Sequence, residues 1–263
     1  SVIAATKGDS SATRDTKPKF QDEDLRGIKV LPEYLKVKKL IQESCPLIFV
    51  TGGAGTGKST FIRWLDNEFR GKTLLCAPTG IAALTIAGKT IHSMCRLPPS
   101  WVVQSDIKLH PQSLAQHADV LIIDEISMVD ANLLDAMDSF FRLNRGNTKA
   151  FGGISVVLVG DLFQLPPIIT RTTEPLFDAN YDSPKFFAAN VITHSEVKLV
   201  ELTETFRQSD QNFVDLLSDI REGKGIPEAL EALNVSCKIT NDPDAGTISL
   251  SPRRIEVERI NND

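Results

Sequence analysis

Residues 47–65 read LIFVTGGAGTGKSTFIRWL, and the architecture follows from how they break. Leu47-Ile48-Phe49-Val50-Thr51 is a short apolar run of the length of a buried strand. It gives way to Gly52-Gly53-Ala54-Gly55-Thr56-Gly57, after which Lys58-Ser59-Thr60 opens a stretch whose apolar residues Phe61, Ile62, Trp64 and Leu65 recur at helical spacing. Strand, glycine-rich turn and helix, with GxxxxGKS between them, spell a phosphate-binding loop. The glycines let backbone N–H groups curl around phosphate oxygens, at a helix N-terminus whose dipole favours anions. Gly53, Ala54, Gly55, Thr56, Gly57, Lys58, Ser59 and Thr60 are the expected nucleotide-binding residues. Lys58 is expected to reach the β- and γ-phosphates and the Ser59 hydroxyl to ligate Mg2+. The loop specifies a nucleotide and leaves the reaction open.

The same rhythm continues outward. Residues 73–77, 119–124, 155–160 and 197–202 each read as buried parallel strands, and 59–70, 81–86 and 131–142 as amphipathic helices between them. The expected fold is α/β: a P-loop NTPase with a doubly wound parallel sheet, whose ligands sit at the carboxyl ends of the strands. Residues 97–117 (LPPSWVVQSDIKLHPQSLAQH) interrupt the alternation and read as a small inserted lobe. Residues 1–26 are polar and aperiodic, the pattern of a flexible tail. The main α/β domain is expected over 27–242, and 243–263 read as a strand and helix start, the opening of a second, truncated domain.

Composition narrows the setting. With 41% apolar and 24% charged residues the chain is ordinary globular material. No apolar run approaches the roughly 20 residues that span a bilayer, and the N-terminus carries no signal-peptide core. The four cysteines, Cys45, Cys76, Cys95 and Cys237, show no metal-ligand spacing and read as reduced thiols of an intracellular protein, cytoplasmic and nucleoid-associated if bacterial. A net charge of −5 gives no global basic signature, so any nucleic acid would be held in a local groove.

Two further strand ends carry chemistry. Val120-Leu121-Ile122-Ile123 runs into Asp124-Glu125. Asp124 suits the Mg2+-associated carboxylate at a strand end, and Glu125 is placed to polarise a water for attack on the γ-phosphate. A kinase needs no such base, and a GTPase usually carries a glycine-containing sequence here, so ATP hydrolysis is the expected reaction. The third strand ends in Gly160-Asp161-Leu162-Phe163-Gln164-Leu165-Pro166-Pro167. If the tip of this strand lies beside the first strand and the Asp124 strand, Gln164 can touch the γ-phosphate or the attacking water. The stiff proline pair would then pass its movement on.

Five segments now resemble one family. GGAGTGKST, APTGIAALTIAGKTIHS (77–93), LIIDEISMVD (121–130), VGDLFQLPPI (159–168) and LTETFRQSDQNFVDLLSDIREG (202–223) occur in the order found in the Pif-type (petite integration frequency) helicases, RecD-like members of superfamily one. The resemblance covers roughly residues 45–225. It implies an N-terminal motor domain that binds and hydrolyses ATP with Mg2+, to drive 5′-to-3′ movement on single-stranded DNA and unwinding of duplex or forked DNA. The alternative is an ATPase switch, or a nucleotide-binding module without translocation. Resemblance further implies that Gln164 is a γ-phosphate sensor and that Arg207 of TFRQ is the arginine reaching the γ-phosphate, so that Lys58, Glu125, Gln164 and Arg207 form the catalytic set. Pro78, Thr79, His92 and Ser93 match positions along the single-strand track, and residues 97–117 match a pin lobe in which Trp101 and His110 either touch DNA or pack inward. A monomer without a membrane partner is expected. The family's adenine-reading glutamine is missing from the Leu31–Lys36 region, where Tyr34 is the candidate to stack on the base. The family's late motifs also lie beyond this chain, so weak activity is expected of it alone.

Overall fold

The computed structural model describes residues 27–206, 211–236, 255 and 257–259. The chain divides into two compact units, Ser1–Ser209 and Asp210–Asp263. In the first, the strands are β1 (Leu47–Gly52), β2 (Thr73–Ala77), β3 (Lys89–Thr90), β4 (Val120–Ile123), β5 (Ser155–Val159) and β6 (Val197–Leu202). Its helices are α1 (Pro32–Gln42), α2 (Lys58–Glu68), α3 (Gly80–Thr85), α4 (Ile91–Cys95), α5 (Ala131–Arg145), α6 (Glu174–Asn180) and α7 (Asn190–Thr193). The strands form a six-stranded sheet in the order β3-β2-β4-β5-β1-β6, parallel at every pairing.

Side chains alternate across a strand, so a sheet covered on both faces must be apolar at every position. The central strands meet that demand. Leu47 and Phe49 of β1, Leu121 and Ile123 of β4, and Val156 and Leu158 of β5 pack with Leu134, Met137, Phe140 and Phe141 of α5 in one buried cluster. The intervening Ile48, Val50, Val120, Ile122, Val157 and Val159 pack on the other face with Tyr34, Val37 and Ile41 of α1 and Phe61, Ile62 and Leu65 of α2. Each such side chain, fully buried, is worth roughly 1.5–3 kcal/mol against exposure.

The winding reverses at β1. Ala83 of α3 belongs with α1 and α2 on one face, whereas Ile91 of α4, Phe177 of α6 and Val191 of α7 belong with α5 on the other. In doubly wound sheets the crevice at the carboxyl ends beside such a reversal holds the ligand. β1 lies between β5 and β6, and β5 lies between β1 and β4. The tips carrying Gly52, Asp124 and Gly160 are therefore neighbours.

Local signals explain the element ends. Pro32 supplies the first turn of α1, where a missing N–H costs nothing. Asp130 caps α5 by accepting from the Leu133 N–H at 2.7 Å, and Gly146 closes that helix in the left-handed region at φ 61°. The segment 97–117 lies along α5, where two asparagines hold it. Asn132 Oδ1 accepts from the Val102 N–H at 2.8 Å and its Nδ2 donates to the Val102 carbonyl at 3.0 Å. Buried Asn144 accepts from the His110 N–H at 2.7 Å and donates to the Lys108 carbonyl at 3.1 Å. Trp101 packs edge-on to Phe177 at 5.0 Å, which places its ring in the apolar cluster.

In the second unit, α8 (Gln211–Glu222) and α9 (Ile226–Ser236) form a helical hairpin. The Gly223 N–H donates to Ile220 O at 3.2 Å and the Lys224 N–H to Asp219 O at 2.8 Å. With Gly223 at φ 73°, this closes α8 as a Schellman turn. The expected tail over 1–26 and second-domain start over 243–263 fall mostly outside the described residues.

Candidate functional site

The phosphate loop joins β1 to α2. Gly55 and Gly57 have φ of 77° and 82°, a region that a side chain disfavours and that turns their N–H groups into the loop. Gly52 is needed for a different reason: a Cβ there would lie 2.6 Å from Thr56 Oγ1 and 2.8 Å from the Leu202 carbonyl. Thr56 is buried and donates to the Gly53 carbonyl at 2.9 Å. The Lys58 ammonium donates to the Gly52 and Gly53 carbonyls at 2.8 and 2.9 Å, so the cation lies across the loop's mouth. Beyond β6, the Phe206 N–H donates to the Gly55 carbonyl at 2.9 Å. That bond ties the TFRQ segment to the loop, although Arg207 itself lies outside the described residues.

Asp124 leaves β4 buried, with its N–H on the Cys76 carbonyl at 2.9 Å and its Oδ1 accepting from the Glu125 N–H at 2.9 Å. Burial pushes its carboxyl up to about 6; the Glu125 N–H, and more weakly the Lys58 ammonium, pull the other way. Glu125 sits at φ 50°, ψ 43°, a left-handed conformation that costs a non-glycine residue of order 1–3 kcal/mol and that marks functional turns. The strain turns the chain sharply, so Glu125 follows Asp124 into the cleft instead of continuing the strand.

At the tip of β5, Asp161 is 1% exposed. Its Oδ1 accepts from the Phe163 N–H at 3.1 Å, and its Oδ2 from the Gln164 side-chain amide at 3.4 Å. Gln164 is otherwise exposed and its one such bond is long, so its amide is free to take other partners. Ser59, Thr79, Asp124, Glu125, Ser127 and Gln164 line one cleft of about 810 Å³. Four of the proposed phosphate-site residues thus share it, together with Thr79 from the expected strand track.

The other residues expected on a strand track sit next door. β2 and β3 pair through Cys76↔Lys89 and Ala77↔Thr90, so Pro78 and Ile91 follow adjacent strand ends. Thr79 caps α3 by accepting from the Ala82 N–H at 3.2 Å, and Thr90 caps α4 by accepting from the Ser93 N–H at 3.2 Å. Ser93 is exposed, whereas His92 is partly buried, with no partner for its Nδ1 among the described residues and its ring near the Asp130 carboxylate.

Tyr34 does not fit the role the sequence suggested. It is 1% exposed, with its ring 5.0 Å from Phe61 and 5.4 Å from Trp64, so no face is open to a base. Its hydroxyl reaches the Gly57 carbonyl at 3.4 Å. Helical spacing explains the difference, because Tyr34, Val37 and Ile41 are the buried stripe of α1. No spacing in the sequence marks Ser127, two residues beyond the acids; only the fold brings it to the cleft.

The model of the PIF1-like helicase family matches residues 33–230. The chain belongs to that family. It is 34% identical over 269 residues to the ATP-dependent DNA helicase PIF1 of Emericella nidulans, covering 96% of this chain and 34% of that protein. A structure of Pif1 helicase from Bacteroides in complex with ADP-AlF3 and single-stranded DNA superposes with a TM-score of 0.80 at 33% identity, over 89% of this chain and 56% of that one. A structure of two coordinating Pif1 helicases at forked duplex DNA gives a TM-score of 0.80 at 35% identity, over 89% of this chain and 57% of that one. The PIF1-like chain therefore spans about a third of the length of that curated relative, and its parallel sheet is the RecA-like domain of those helicases.

Proposed function

We infer that this chain is the ATP-hydrolysing motor domain of a DNA helicase, and that hydrolysis in the 810 Å³ cleft drives movement along single-stranded DNA. The observation carrying the reading is the convergence of Ser59, Asp124, Glu125 and Gln164, from three adjacent strand ends, on that one cleft. The backbone amides around Gly55 and Gly57 and the Lys58 ammonium suit the β- and γ-phosphates. Glu125 is the group to orient and deprotonate the attacking water, Gln164 the group to sense the γ-phosphate, and Arg207 the cation for charge building on it.

The oxygen donors suit Mg2+. Ser59 and Asp124 offer a hydroxyl and a carboxylate, and among the described residues no group of three or more His, Cys, Asp or Glu side chains forms a cage of its own. Mg2+ is typically held this way, by one or two protein oxygens with phosphate and water completing the shell. A buried carboxyl pushed up to about 6 also gains most from a cation beside it. When bound, the ion supplies charge neutralisation across the β- and γ-phosphate oxygens.

Pro78, Thr79, His92 and Ser93 form the proposed strand track, since hydroxyls, backbone N–H groups and an imidazole suit contacts to phosphate and sugar without reading sequence. Thr79 also lines the nucleotide cleft, so a strand gripped there would feel the nucleotide's state. Travel is 5′-to-3′ on single strands opened from duplex or forked DNA, with a monomer as the acting unit. The test is the ATPase rate of the full-length protein with and without oligo-dT, for wild type and Glu125→Gln. Strong stimulation by oligo-dT in wild type, with hydrolysis lost by about two orders of magnitude or more in Glu125→Gln and nucleotide binding kept, is expected. A DNA-independent rate would favour the ATPase switch, and near-normal turnover of Glu125→Gln would remove that residue as the base.

A further inference from the structure

Ser127 is 6% exposed, its hydroxyl oxygen is shielded from solvent, and among the described residues no protein group hydrogen-bonds to it. A buried hydroxyl left without a partner costs roughly 1–3 kcal/mol, so a group of this kind calls for an explanation, a role at a catalytic site being one. Ser127 lines the same cleft as Glu125 and Gln164. It belongs to the one-turn helix Ile126–Met128 that starts directly after the strained Glu125.

The tip of β5 rests on that turn. A Cβ on Gly160 would lie 2.8 Å from Ile126 Cγ2, 3.1 Å from the Ile126 nitrogen and 3.3 Å from the Ser127 nitrogen. Four residues later, Gln164 is exposed and held through its side chain by a 3.4 Å bond to Asp161. The turn beneath the cleft therefore carries a buried hydroxyl with no partner among the described residues, and across the β4–β5 contact lies an amide with a weak one. A side-chain amide offers both a donor and an acceptor, and a serine hydroxyl can answer either.

We propose that Ser127 is a positioning residue of ATP hydrolysis: its hydroxyl engages the Gln164 side-chain amide in the nucleotide-bound state and locks the β5 tip to the turn that carries Asp124 and Glu125. The lock aligns Gln164 with the water held by Glu125 and is made only when the terminal phosphate draws Gln164 away from Asp161. This rests on the assignment of Glu125 and Gln164 to hydrolysis. Ser127 touches neither phosphate nor water; it acts through Gln164.

The experiment is a double-mutant cycle on the full-length protein, with oligo-dT present, reading kcat and KM for ATP in wild type, Ser127→Ala, Gln164→Ala and the double variant. Glu125→Gln serves as the control. Ser127→Ala is expected to lower kcat about tenfold, the loss of one hydrogen bond made in the transition state, with KM changed less than about twofold. The double variant should be no slower than Gln164→Ala alone, because the two side chains act as one unit. Thermal unfolding supplies the second readout: without nucleotide Ser127→Ala should melt at or above wild type, and with a non-hydrolysable ATP analogue it should gain less than wild type does. An unchanged kcat in Ser127→Ala, multiplicative losses in the double variant, or a lower melting point without nucleotide would overturn the proposal. Collapse of hydrolysis in Glu125→Gln alongside a normal Ser127→Ala would end this inference alone, whereas normal turnover in Glu125→Gln would remove the assignment beneath it.

Discussion

Gly160 packs so closely on Ile126 that no side chain fits between them: a Cβ at 160 would sit 3.1 Å from the Ile126 nitrogen and 2.8 Å from its Cγ2. The end of the strand that leads to Gln164 and the turn that follows Glu125 are therefore packed together without room for a methyl group. A methyl group placed between them must push them apart, since packed interiors absorb overpacking only by shifting backbone. Gly160→Ala is expected to cost about 1–3 kcal/mol in urea unfolding, with a disproportionate loss of ATPase rate. A variant with native stability and native rate would show that the two tips are independent.

Asp124 predicts a dependence on pH with a definite sign. Its carboxyl is raised from 3.8 to about 6 by burial, so between those values the folded protein holds a proton that the unfolded chain has released. Stability contributed by this site is thus present at low pH and lost as pH rises through about 6. Above that, the nucleotide-free protein carries the full penalty of a buried charge. Asp124→Asn should unfold at higher urea than wild type at pH 8, by up to roughly 1–3 kcal/mol, and the gap should close by about pH 4. The same variant should lose Mg2+-dependent nucleotide affinity. Equal stability at pH 8 would show that the acid is solvated or already paired.

Tyr34 separates a structural role from a base-reading one. Its ring lies between Phe61 and Trp64 and its hydroxyl is 3.4 Å from the Gly57 carbonyl, a long contact worth at most about 1 kcal/mol. Tyr34→Phe should leave ATP affinity and the preference for ATP over GTP unchanged. Tyr34→Ala should cost about 3–5 kcal/mol through the cavity it leaves. A changed base preference in a folded Tyr34→Phe protein would return Tyr34 to the nucleotide.

The central apolar strands and the phosphate loop were legible because each carries a strong local pattern, and β2 begins and ends where its apolar run does. β6 has the expected bounds but is not the buried strand expected, because at the sheet edge only Val200 and Leu202 are buried while Lys198, Leu199 and Glu201 are exposed. The two-residue β3 (Lys89–Thr90) was not, because two residues hold no periodicity and only the pairing with Cys76 and Ala77 defines it. Helix α5 runs past Arg142 to Arg145. The arginine at its end is held by tertiary carbonyls, with Arg145 donating to Gly152 and Ala118 at 2.9 Å, and nothing in the local sequence announces those partners. In the site, Lys58, Asp124 and Glu125 were visible as motifs. The placement of Thr79 and Ser127 on the same cleft depends on strand order, which a single sequence encodes only through its long-range contacts.

The central claim is that the amide at the β5 tip passes the state of the nucleotide to bound DNA. The measurement closest to it is the ratio of ATPase rates with and without saturating oligo-dT in full-length wild type and Gln164→Ala, with ATP and oligo-dT affinities measured on the same preparations. The account predicts that both affinities survive in Gln164→Ala while stimulation by DNA collapses toward unity. A variant that binds both ligands and keeps the wild-type stimulation ratio would contradict it.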